Sequence, residues 1–160
     1  MSGDPASGSP KEVPLRLEEH PFFQGLDPQL VHAAARLARE RRFDTGEMLV
    51  RDGDPAEWFF LIFQGKLALE VATPEKPHLT IQTIGPGEVL GWSWLVPPYL
   101  WRFDARALKP TRVLAIDGAA FRHTLATHPE HGYQFLVRLL PIIAQRLENT
   151  QIQLLDIHAL

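Results

Sequence analysis

Cysteine is absent from the 160-residue sequence. That excludes disulfide scaffolds, thiolate zinc sites and thiol nucleophiles, and it is compatible with a reducing compartment. Charge of one sign is scarce too: 16 Lys and Arg face 19 Asp and Glu, a net charge of −3 that gives no general attraction to a phosphate backbone. Direct DNA binding is therefore not expected. Long hydrophobic runs are also missing. The longest, Trp58 to Phe63, falls far short of the roughly 20 residues a bilayer-spanning helix needs, and the opening MSGDPASGSPKEVP has neither the basic start nor the apolar stretch of a secretion signal. No membrane span is expected, and cytoplasm is the expected compartment. What remains, with hydrophobic residues at 45% and charged residues at 22%, is the balance of one globular domain with a real core.

The punctuation of the chain divides it. Residues 1–19 read as a flexible Gly/Ser/Pro-rich tail, and a domain is expected over 20–160. Asp27 followed by Pro28 marks a helix start, a capping carboxylate and then a residue already at helical φ. Leu30, Val31, Ala34, Ala35 and Leu37 continue it at helical spacing, and Arg36, Arg39, Arg41 and Arg42 read as its solvated face. From about residue 43 to 116 the texture changes to short apolar or alternating segments between glycines and prolines, which predicts strands. These are Met48–Arg51, Trp58–Phe63, Lys66–Val71, His78–Ile84, Phe103–Leu108 and Val113–Ile116, with a short Val89-Leu90 strand. Helical texture returns at Asp117 and runs to about 158. Pro141 has no amide donor, so a break or kink is expected there. Beyond it Ile143, Leu147, Thr150, Leu154 and Ile157 follow alternating four- and three-residue steps, a stripe of the kind that pairs two helices.

Phe43-x-x-Gly46-x-x-Leu49-x-x-x-Gly53, Phe59-Phe60-Leu61-Ile62-x-x-Gly65-x-Leu67 and Gly87-Glu88-x-x-Gly91 resemble the core of cyclic-nucleotide-binding domains of the catabolite-activator type. The glycines fall at strand-to-strand corners, and the leading His20-Pro21-Phe22-Phe23-x-Gly25-Leu26 and the trailing helices fit the same family. The resemblance covers residues 20 to 157. It implies an α+β fold: an antiparallel, jelly-roll-like β-roll with an N-terminal helix and C-terminal helices ending in a dimer helix. A homodimer is thus expected. The DNA-reading helix-turn-helix that follows the long helix in transcription factors of this type has no counterpart in these residues.

The resemblance also implies a cassette in which a short helix after a glycine holds a cyclic phosphate on its backbone amides, a glutamate holds the ribose, and an arginine on the next strand neutralises the phosphate. Here the cassette reads Gly91-Trp92-Ser93-Trp94, with Trp92 where the glutamate would stand. Glu88 precedes the Val89-Leu90 strand and does not take that role. The alternation of Phe103, Ala105 and Ala107 puts Trp101 at the arginine position and Arg102 beside it, unless a one-residue shift brings Arg102 into that place. Gly91, Trp92, Ser93, Trp94, Trp101 and Arg102 are the candidate ligand residues. The indoles either form an aromatic receptor or fill a closed pocket. At least one of Trp92 and Trp101 is expected to line the pocket.

Other chemistries lack their patterns. His123, His128 and His131 do not have helical zinc spacing, Ser93 has no flanking glycines of a nucleophile elbow, and no phosphate-binding loop occurs. No enzyme and no metal site are expected. The sequence leaves two readings: a regulatory domain that senses a cyclic nucleotide or another small anionic or aromatic effector and signals to a downstream protein, or a ligand-free interaction and dimerisation module.

Overall fold

The computed structural model describes residues 13–158, with side chains as far as 156. Eight strands form two four-stranded antiparallel sheets. The first has the order β1(Ala38–Phe43), β8(Thr111–Asp117), β3(Trp58–Gln64), β6(Val89–Leu90); the second runs β2(Met48–Val50), β7(Asp104–Ala107), β4(Leu67–Val71), β5(Leu79–Ile84). Helix α1 (Pro28–Arg36) precedes the roll, and α2 (Gly118–Thr127) and α3 (Pro129–His158) follow it. This is the α+β roll expected from the sequence. The capping chemistry is as read: Asp27 Oδ1 accepts from the Gln29 amide at 2.8 Å and Asp117 Oδ1 from the Ala120 amide at 3.1 Å.

Strand β3 is the spine of the molecule. Phe59, Phe60, Leu61 and Ile62 are each at most 1% exposed, a continuous apolar run because both faces of the strand are covered. Neighbouring residues of a strand point to opposite faces. Phe59 meets Phe22, Trp94 and Phe135 on the helix side, whereas Phe60 faces Trp101. At the corner after β3, Gly65 has φ +104°, and a Cβ there would lie 2.6 Å from the Thr111 Cα, so only glycine allows that close approach to β8.

Four expectations are corrected. First, the ordered chain begins before His20: Leu17 and Glu18 belong to a 3-10 turn, Leu17 is buried, and Arg112 donates to the Val13 carbonyl at 3.0 Å. Residues 1–12 of the expected tail lie outside the described residues. Second, Arg39, Arg41 and Arg42 are on β1, not on a helix face; α1 stops at Arg36 and the chain turns at Leu37 to pair with β8. Arg39 lies over the Trp58 ring and Arg41 over Phe43. Third, α3 runs without a break through Pro141. Pro141 and Val137, whose carbonyl loses its partner, are both exposed, so water can take the place of the missing donor. Fourth, Ile143 of the expected pairing stripe packs on the roll's own core.

His20 pins the N-terminal turns to the roll. Its Nδ1 accepts from the Phe22 amide at 3.1 Å, which leaves Nε2–H to donate to the Ile62 carbonyl at 3.0 Å. Burial lowers its pKa below the ordinary histidine value, against the opposing pull of the Ile62 and Glu88 carbonyls. The neutral form is favoured in the fold, so the unfolded chain binds the extra proton first as pH falls. This contribution to stability is complete above the unfolded pKa of about 6.5 and is lost as pH drops through the depressed folded value. Chemical denaturation at a series of pH values should show stability declining below neutrality more steeply in the wild type than in His20→Gln. Equal slopes would show that His20 does not carry this linkage.

Candidate functional site

Trp101 decides the character of the roll interior. It is 3% exposed and packs 6.4 Å from Phe60 and 5.9 Å from Phe103, centroid to centroid. Its backbone is locked to the β2–β3 turn: Gly53 donates to its carbonyl at 2.8 Å and its own amide donates to Asp54 at 2.9 Å. The indole lies directly on Gly91. A Cβ at Gly91, where φ is +89°, would come within 2.6 Å of Trp101 Cη2 and closer still to Cζ3. The glycine of the cassette is therefore needed both for its φ and for the ring that covers it.

The cassette itself is one turn. Leu95 donates to the Trp92 carbonyl at 2.9 Å, and residues 92–96 form turns and bends without a helix. The short helix implied by the family pattern, with its cluster of free amides, is thus not formed. Ser93 is half-buried on this turn.

The two cassette indoles part ways. Trp94 is fully buried on the helix side of β3, among Phe59, Phe121 and Phe135, and its Nε1 donates to the Gly91 carbonyl at 3.2 Å. It packs as a core residue that ties the cassette to α2 and α3. Trp92 is half-buried, and the Arg146 guanidinium lies 5.4 Å from its ring centroid. Arg102 is exposed, so the one-residue shift that would have brought it to the cassette does not occur. Arg106 makes a two-pronged pair with Glu70 across β4 and β7, at 3.1 and 2.7 Å. Glu70 is 2% exposed, and the Arg106 bonds hold its carboxyl below the usual range. Glu88 is a turn residue whose Oε2 accepts from the Gly85 amide at 2.6 Å.

Arg146 is the residue the sequence reading missed. It is 8% exposed, donates to the Val89 carbonyl, and lies over Trp92. Burial pulls its pKa down, opposed by the Glu88 charge. Its position was visible in the periodicity: Phe135, Leu139, Ile142 and Arg146 share one helix face, and the first two are buried, so an arginine on that row has to enter the protein. It opens into a cleft of about 500 Å³ between β5 and α3, lined by Gln82, Thr83, Glu88, Asn149, Thr150 and Gln153 among others. No group of metal-ligating side chains occurs among the described residues, and no helix of the described chain is long and apolar enough to cross a membrane.

Comparison with known proteins agrees with this geometry. Residues 40–128 match the family model of the cyclic nucleotide-binding domain. Curated relatives include the CRP-like cAMP-activated global transcriptional regulator of Mycobacterium tuberculosis, 25% identical over 85% of this chain and 59% of its own length. The cyclic AMP receptor protein of Thermus thermophilus is 28% identical over 79% of this chain and 53% of its own. This chain thus spans little more than half the length of those relatives. Among solved structures, a cyclic nucleotide-binding protein from Geobacter metallireducens superposes with a TM-score of 0.74 at 27% identity, covering 82% of this chain and 96% of that one. With the family match extending over more than half of the sequence and the roll reproduced, this chain belongs to the cyclic nucleotide-binding domain family.

Proposed function

We propose that this chain is a homodimeric regulatory domain in which the cyclic-phosphate site of the family is closed, and that it passes its signal to another protein. The observation that carries this reading is the Trp101 indole seated on Gly91. It takes the space beside the cassette, the cassette has no helix N-terminus to hold an anion, and Arg102 points to solvent. A cyclic nucleotide would have to displace a buried tryptophan and find neither the carboxylate nor the arginine that holds it elsewhere in the family.

The test is thermal unfolding of the purified chain with saturating cyclic AMP and cyclic GMP. A ligand at 100 times its dissociation constant would stabilise the fold by about 2.7 kcal/mol; the expected result is no shift with either. A reproducible shift would overturn the closed-site reading.

A specific observation also favours sensing of a different effector. Arg146 brings a desolvated cation to the cleft between β5 and α3, beside the Glu88 carboxylate and the amides of Asn149 and Gln153, and the pair favours a small ligand with an anionic edge for the guanidinium and a donor for Glu88. Any ligand there would touch α3 directly and could bias its position, which is what a regulatory domain needs. The same unfolding measurement over a panel of small organic anions separates this sensor from a ligand-free dimerisation module. A shift abolished by Arg146→Met supports the sensor, and silence across the panel supports the module.

A further inference from the structure

A second hollow lies on the outer side of the cassette turn, where α2, the start of α3 and the loop of residues 95–99 meet, with a volume of about 560 Å³. Leu95, Ala126 and Leu136 give it apolar walls, Arg122 is its cation, and the His123 side chain also lines it. No carboxylate lines it.

Arg122 is not a loose surface cation. Its guanidinium lies 3.8 Å from the Tyr99 ring centroid and Nη1 donates to the Trp94 carbonyl, so its position is set by the cassette turn. Tyr99, which forms the stack, has φ +60°, the one non-glycine residue in the left-handed region among those described. A strained backbone that aims an aromatic ring at a fixed arginine is a local arrangement that the rest of the fold must hold in place. Leu136 on its wall and Val96, next to Leu95 in the loop, are 51% and 52% exposed, apolar surface of the kind that marks an interaction site. The floor is shaped by Gly132: a Cβ there would lie 2.9 Å from the Leu125 carbonyl oxygen, so α2 and α3 approach closely.

We propose that this hollow is the docking site for an amphipathic helix of another protein, whose apolar residues pack on Leu95, Ala126 and Leu136 and whose carboxylate meets Arg122. The charge of the hollow selects the partner. A cationic helix is repelled by Arg122, and a purely apolar one covers that charge without bringing it a counter-ion. A helix is the fitting element because two of the three walls are helices, so a third can pack in their groove through residues spaced three and four apart. The proposal rests on the reading of this chain as a regulatory domain that signals to another protein.

The probe is a displayed library of helix-forming peptides about four turns long, with charges randomised around apolar positions three and four apart, panned on the full chain. Enriched peptides are expected to carry Asp or Glu beside their apolar pair and to lose at least about tenfold in affinity against Ala126→Arg, which fills the hollow from an exposed position. Replacing the peptide's acid by its amide is expected to cost about tenfold against the wild type and little against Arg122→Gln, the coupling of a direct contact. Glu75→Gln, on the exposed connection between β4 and β5, should leave binding unchanged. No enrichment, enriched peptides without an acid, indifference to Ala126→Arg, or loss with Glu75→Gln each overturns the proposal. A thermal shift with a cyclic nucleotide beside intact acidic-peptide binding would instead reject the closed-cassette reading and leave the docking site standing.

Discussion

Trp101→Ala is expected to destabilise the fold by about 3–5 kcal/mol, the usual cost of removing a large aromatic side chain from a packed core, and to weaken the penalty of a second substitution at Gly91. Alone, Gly91→Ala meets two obstacles: a left-handed φ that costs an alanine about 1–2 kcal/mol, and a methyl group driven into the indole, an overpacking of about 1–3 kcal/mol. Once the indole is gone only the backbone part remains. The cycle should therefore show a coupling of about 1–3 kcal/mol, read by chemical denaturation of the wild type, both single variants and the double variant. Indole added to Trp101→Ala should restore part of the lost stability, because a dry cavity lined by Phe60 and Phe103 binds an aromatic molecule of the shape it lost. Additive substitutions would mean that Trp101 does not press on the cassette, and the closed-site reading would lose its support.

How far the sequence speaks depends on how local the controlling interactions are. The strand pattern was legible because each strand of the roll is bounded by turn residues and its apolar content follows from its own burial; seven of the eight strands were expected within a residue or two. β1 was not, because Ala38–Phe43 is an edge strand whose arginines lie partly on solvent, and arginine after a helix reads as more helix. The unbroken course of α3 through Pro141 was hidden for a related reason: whether a proline breaks a helix depends on which face it occupies, and the face is set by packing against the roll. At the site, the resemblance put Trp92 where the family's glutamate stands but left both Trp101 and Arg102 open for the arginine's place. The division of labour among the indoles could not be read. Trp92 and Trp94 are two residues apart on one turn, and what sends Trp94 into the core is a set of rings, Phe59, Phe121 and Phe135, contributed by β3, α2 and α3. Arg146 is the intermediate case. Its place on the apolar row could be seen in the sequence, but the carbonyl it reaches belongs to β6.

Leu140→Asp combined with Leu147→Asp is expected to turn a dimer into a folded monomer. One face of α3 is turned to the roll through Phe135, Leu139 and Arg146; on the opposite side Tyr133, Val137, Leu140, Leu147 and Leu154 are between 52% and 72% exposed. With Ala144 and Gln151 filling the gaps, these positions run in alternating steps of four and three, the spacing of a two-helix seam. The seam keeps Leu147 and Leu154 of the stripe read from the sequence, drops Ile143 to the roll, and leaves Thr150, whose hydroxyl donates to the Arg146 carbonyl at 3.0 Å, at its flank; the Ile157 side chain lies outside the described residues. A carboxylate buried at the centre of such a seam has no cationic partner on the same face of the second helix, so it must be desolvated unpaired or the helices must separate. With about 1.4 kcal/mol for each factor of ten, two such groups should weaken dimerisation by at least about 100-fold. The protomer should tolerate them, because both leucines face solvent within it. Sedimentation equilibrium should therefore find a wild-type dimer and a monomeric variant, with the near-ultraviolet circular dichroism of the buried tryptophans unchanged. A wild type that sediments as a monomer at high concentration, or a double variant that remains dimeric, would remove α3 as the dimer helix and with it the route by which the cleft at Arg146 could report to a second subunit.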